Sequence, residues 1–99
     1  MESKKAYQEK MEAQLREWSA KIDLLKAKAD KAKAEVKIKY YEKIEELRAD
    51  QETARQKLQE LKGSGEEAWG ELKGGVDKAI GDLKEGLNRA LAKFKGKEV

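Results

Sequence analysis

The residues of this 99-residue chain that could do chemistry are three serines, a group of carboxylates and a ladder of evenly spaced lysines. A serine nucleophile needs a neighbouring base, and the chain holds no histidine and no cysteine, so the usual general base, the thiol nucleophile and the soft metal ligands are all missing. Ser3, Ser19 and Ser64 have no base near them in sequence. Glu42, Glu45, Glu46 and Asp50 cluster on one stretch, but a di-metal carboxylate site in a helical protein ordinarily sets histidine beside glutamate. Their expected role is solvation. Gly63-Ser64-Gly65 lacks the spacing and the preceding strand of a phosphate loop. The expectation is a protein that is no enzyme, with no catalytic residue, cofactor, metal or small-molecule substrate.

The lysine ladder belongs to an eleven-residue repeat. It reads Gln59 to Trp69, Gly70 to Ile80, and Gly81 to Leu91, with Lys62, Lys73, Lys84 and Lys95 at equivalent places. Leu72 and Leu83, Ala79 and Ala90, and Ile80 and Leu91 are each eleven apart. A period of 3.67 residues per turn keeps an apolar stripe nearly parallel to a helix axis. That stripe runs Ala68, Leu72, Val76, Ile80, Leu83, Leu87, Leu91 and Phe94, with Trp69 on its flank. Such a face can cover a protein partner, or it can lie on an anionic membrane surface with the lysines reaching headgroups and Trp69 and Phe94 anchoring its ends. Acidic Glu66, Glu67, Glu71, Asp77 and Asp82 oppose anionic lipid and favour the protein-core alternative. In pattern the repeats resemble those of apolipoprotein-like and synuclein-like lipid-binding helices.

The elements that must position this stripe are marked by glycine. All eight glycines lie after residue 62, and the chain has no proline, so a stiff rod precedes a soft tail. Along the rod the apolar positions Met11, Leu15, Trp18, Ile22, Leu25, Ala29, Ala32 and Val36 step by fours and threes, as a coiled coil does. The run continues through Tyr40, Ile44, Leu47, Gln51, Ala54, Leu58 and Leu61, with one extra four-residue step between Val36 and Leu47 that acts as a stutter. Glu12 with Arg16, Glu17 with Lys21 and Glu35 with Lys39 stand four apart, acid first, each contributing about 0.3 kcal/mol to helix stability. One helix is predicted within residues 1–62, its fifty-odd helical residues measuring roughly 85 to 90 Å at 1.5 Å per residue.

At Lys62 to Glu67 the signals favour a turn over a continuous helix. Gly63 suits a C′ position, and Ser64 with Glu67 matches a capping box. A second helix is predicted over 66–95, with 96–99 frayed. Its interior glycines from Gly70 to Gly86 cost roughly 4 to 5 kcal/mol relative to alanine, and Gly70, Gly74 and Gly81 fall on its polar face. The tail should order only when its stripe is covered.

Composition sets the remaining bounds. Charged residues make up 43% of the chain, which an elongated helical protein can keep in water and a compact globule cannot. The net charge of +3 balances 23 basic against 20 acidic residues, too mild to imply specific nucleic-acid binding. The lysine-rich stretch 21–43 is expected to be a solvated face. With neither disulfide chemistry nor an apolar run of spanning length, a cytoplasmic protein is expected, able still to lie on a membrane.

The landmarks Glu12-Ala-Gln-Leu-Arg-Glu-Trp18, Lys39-Tyr-Tyr-Glu-Lys-Ile44 and Leu61-Lys-Gly-Ser-Gly-Glu-Glu-Ala-Trp-Gly-Glu-Leu-Lys73 resemble a family of small bacterial coiled-coil proteins labelled as stress-response or hypothetical proteins, found in cyanobacteria and proteobacteria. The resemblance spans about Tyr7 to Lys95. It implies a soluble helical protein connected with salt, desiccation or envelope stress, and it transfers no activity. The reading from residues is an all-α chain, long helix then shorter amphipathic helix. Folding the tail back leaves Tyr7, Met11, Leu15, Trp18, Ile22 and Leu25 uncovered, so a homo-oligomer is expected: a scaffold or protective protein, the alternative being a peripheral membrane binder.

Overall fold

A computed structural model of the chain describes residues 3–95; the predicted frayed end, 96–99, lies outside the described residues. Helix α1, Lys4–Asp30, starts where Ser3 accepts a hydrogen bond from the Ala6 amide at 3.1 Å, satisfying one of the free donors of the first turn. It buries Tyr7, Met11, Trp18, Ile22, Leu25 and Ala29.

The predicted single rod breaks here. Lys31 ends α1, its amide reaching back to the Ala29 and Lys28 carbonyls, and α2, Ala34–Lys62, begins after an extended Lys33 that supplies no side-chain cap. No glycine, proline or good N-cap marks this turn. Its cause is tertiary: a straight rod leaves its whole apolar stripe in water, and reversing at residues 31–33 lets the two halves of the stripe cover each other. The described residues therefore form three helices, where the sequence reading predicted two.

The second turn follows Lys62 with different chemistry from that predicted. Gly63 keeps a right-handed φ of −81°, so its glycine is not used for a left-handed cap. Ser64 turns its hydroxyl back to donate to the Leu61 carbonyl at 2.6 Å, serving the end of α2 and forming no capping box ahead. Lys4 from α1 adds hydrogen bonds to the Lys62 carbonyl at 3.1 Å and to the Ser64 carbonyl. Helix α3 then runs Trp69–Lys95, three residues later than predicted.

The helices run up, down and up, with α2 packed against both others and a thinner seam between α1 and α3. Ion pairs and rings fix the register. Arg48 meets Asp23 at 3.0 Å and Lys62 meets Glu12 at 2.9 Å across α1 and α2, while Tyr40 of α2 stacks on Phe94 of α3 with centroids 3.9 Å apart. The result measures 51 × 19 × 16 Å, well short of the predicted rod.

Candidate binding surface

Nearly all the apolar residues singled out in the sequence converge on one core. Met11, Trp18, Ile22, Leu25, Tyr40, Ile44, Leu47, Leu58 and Leu61 from the first two helices are buried, as are Val76, Ile80, Leu83, Leu87 and Phe94 from α3. Leu15, Val36, Trp69, Leu72 and Leu91 pack half-buried at its edge. The stripes assigned to self-association and to a partner or membrane thus cover each other within one chain. Among the described residues no polar or charged side chain is buried, and no group of three or more acidic residues could hold a metal. No described helix is long and apolar enough to cross a membrane.

The glycines of α3 sort into two kinds, a division that helical phase alone only half reveals. A Cβ on Gly86 would meet Leu47 Cδ2 at 3.2 Å, and one on Gly75 would meet Lys57 Cδ at 3.5 Å. These two let α2 and α3 approach closely. Above Gly70, Gly74 and Gly81 no atom of the described residues lies within 4 Å; packing among those residues does not require them, and each weakens the helix by about 0.8 to 1 kcal/mol relative to alanine. The helix with the cleanest apolar face is therefore the one with the least intrinsic helicity.

Two polar clusters tie the bundle at opposite ends. At one, the Tyr7 hydroxyl donates to Asp77 and to the Lys73 carbonyl, with Trp69 5.8 Å from the Tyr7 ring and the Lys73 ammonium 5.2 Å above it. At the other, the Tyr41 hydroxyl donates to Asp30 at 2.5 Å and Lys26 pairs with Asp30 at 3.3 Å. The hydrogen bond from Tyr41, and then that from Lys26, hold the Asp30 carboxyl below its ordinary pKa, and the same bond raises that of Tyr41. Shallow grooves between α1 and α2 are lined by Leu15, Arg16, Ser19, Gln51 and Arg55 and by Lys26, Tyr41, Ile44 and Glu45. Neither gathers a nucleophile with a base.

One core detail lay beyond the sequence. The Trp18 indole N–H is buried without a hydrogen-bond partner among the described residues, a defect costing about 1 to 3 kcal/mol. Lys21 sits 4.8 Å over its ring. No protein-family model, no curated protein and no solved structure matches the chain.

Proposed function

We propose that this chain is a non-enzymatic helical protein that binds membrane surfaces peripherally, by opening its bundle and laying the apolar faces of its helices on lipid, α3 foremost. The observation that carries this reading is the pairing in α3 of a fully buried apolar face with three outer glycines that no contact requires. A helix so built keeps its order only while its face is covered, and lipid can take the place of α1 and α2 as the cover. The eleven-residue repeat lets one straight face run the length of that helix. The resemblance to bacterial stress-response proteins would place such binding in envelope protection from a cytoplasmic side.

Self-association through Met11, Ile22, Leu25 and their neighbours requires the same opening, because those side chains are buried within one chain; a second copy would then take the place of lipid. Co-sedimentation with liposomes separates the two, with Trp18→Phe in the background so that Trp69 alone reports. Pelleting with a blue-shifted Trp69 emission is expected. Failure to pellet with any lipid composition, together with a solution mass of several chains by light scattering, would replace the membrane reading with an oligomeric scaffold.

A further inference from the structure

The two connections of the bundle are unlike. Residues 31–33 join α1 to α2 without a glycine, and the hydrogen bond from Tyr41 to Asp30 ties the helices on either side. Residues 63–68 join α2 to α3 over twice that length and include Gly63 and Gly65; a Cβ on Gly65 would meet no described atom within 4 Å, and residues 65–68 are exposed. A longer connection holding two glycines can take up the changes in φ and ψ that a hinge demands. Helix α3 is thus the element placed to move.

The start of α1 is fastened over this hinge. The Lys4 ammonium donates to the Lys62 carbonyl at 3.1 Å and to the Ser64 carbonyl, one on each side of Gly63. One turn later Tyr7, only 1% exposed, donates its hydroxyl to Asp77 and to the Lys73 carbonyl, and its ring lies 5.8 Å from that of Trp69. Glu12 then meets Lys62 at 2.9 Å. These contacts fall where α3 is intrinsically least helical, because Gly70, Gly74 and Gly75 all lie between Trp69 and Asp77. They also cross the thinnest seam of the bundle.

Resting on the membrane reading above, we infer that the start of α1 is an autoinhibitory clasp on α3. Lys4 holds the hinge and Tyr7 holds the first turns beyond it. When they let go, α3 swings out about residues 63–68, and its apolar face, led by Trp69, Leu72 and Val76, passes from the hairpin to lipid. Only the open fraction binds, so the clasp sets the apparent affinity of the whole protein for membrane. The clasp can release without stranding a buried charge: Asp77 is exposed, and water takes the place of the Tyr7 hydroxyl on it. Opening also gives the Trp18 indole N–H, unpartnered among the described residues, access to water or a headgroup oxygen.

The test uses full-length protein and vesicles of equimolar phosphatidylglycerol and phosphatidylcholine. Tyr7→Phe removes the clasping hydroxyl, keeps the ring in the core, and should tighten binding about tenfold. Tyr41→Phe is the matched control, since it deletes a hydroxyl that also donates to an aspartate but joins α2 to α1; it should change binding by less than about twofold. A covalent bridge gives the opposite result. Gln14 and Lys84 stand seven residues beyond Tyr7 and Asp77 on helices that run the same way, and the chain has no cysteine, so a short bismaleimide can join Gln14→Cys to Lys84→Cys. Bridged protein should bind at least about tenfold more weakly than the same variant unbridged. A bridge that leaves binding unchanged, or a gain in Tyr7→Phe no greater than in Tyr41→Phe, would overturn the clasp while leaving membrane binding in place. Absence of binding by every form, to these vesicles and to phosphatidylcholine alone, would remove both readings.

Discussion

The α1–α2 hairpin and α3 solve the same problem with opposite resources. The hairpin is free of glycine and is stitched by Arg48–Asp23, Lys62–Glu12 and Tyr41–Asp30, so its segments favour helix on their own account. It exposes Leu24 and Ile38 and leaves the Trp18 indole N–H unpaired in its core. Helix α3 has the cleaner apolar face and the poorer helix formers. Intrinsic helicity and amphipathic order are separate quantities, and α3 takes from packing the stability that its glycines withhold.

The hardest way to break this contrast is to place a charge under α3. Leu83 is fully buried, and Leu83→Asp should destabilise the fold by about 4 kcal/mol or more, through an unpaired carboxylate in the core. Hydrogen exchange should show α3 amides losing protection first, with the hairpin retaining part of its own. Leu25→Asp, at an equally buried site of the hairpin, should remove protection from all three helices together. An α3 that stays protected in Leu83→Asp would mean that it does not depend on its cover.

Next in size are the glycines. Changing Gly70, Gly74 and Gly81 together to alanine should stabilise the protein by about 2 to 3 kcal/mol and raise Tm by roughly 10 to 20 °C. Gly86→Ala should behave differently: its methyl meets Leu47 at 3.2 Å, so the gain in helix propensity is offset by displacement of a buried leucine, leaving stability within about 1 kcal/mol of the parent. Thermal melts of the four single variants would erase the distinction if Gly86 gained as much as the other three.

These expectations separate what the sequence makes legible from what it hides. The all-helical class and the buried positions can be read from spacing, because a 3.6-residue period survives any arrangement of the helices. The turn after Lys62 announces itself through Gly63 and Gly65, although Ser64 spends its hydroxyl on Leu61 and forms no capping box. The turn at residues 31–33 does not, because Lys31, Ala32 and Lys33 are unremarkable helix formers, and the reversal is driven by stripes distant in sequence.

A smaller effect probes the hairpin's own defect. Trp18→Phe removes the orphaned indole N–H and should raise stability by about 1 kcal/mol, the relief of desolvation outweighing a weakened cation–π contact with Lys21. Chemical denaturation with an unchanged slope would measure it. A loss of more than about 1 kcal/mol would show that the packing of the indole outweighs its unpaired donor.

The smallest effect concerns pH, and it belongs to the hairpin alone. Asp30 titrates below its ordinary value in the folded protein, first because Tyr41 donates to it and then because Lys26 does. A carboxyl whose folded pKa is lowered contributes stability above its unfolded pKa, and that contribution fades as pH falls from the ordinary value of 3.8 through the lowered one. Tyr41 has the opposite sign: its pKa is raised by the same hydrogen bond, so its contribution holds below the ordinary value of 10.0 and fades as pH rises through the higher one. Both groups face solvent, so screening keeps the slopes shallow. Tyr41→Phe should remove this cluster's alkaline contribution and part of its acid one, since Lys26 still pairs with Asp30 at 3.3 Å, while Asp30→Asn should remove both and leave the separate acid contribution of Glu52, whose pKa Arg55 lowers. Because the hydrogen bonds and ion pair of this cluster lie within α1 and between α1 and α2, acidification below pH 3.8 should loosen the hairpin turn without changing amide protection in α3. Equal loss of protection in all three helices would mean that the hairpin and α3 cannot loosen separately, and the contrast between them would then describe composition without describing motion.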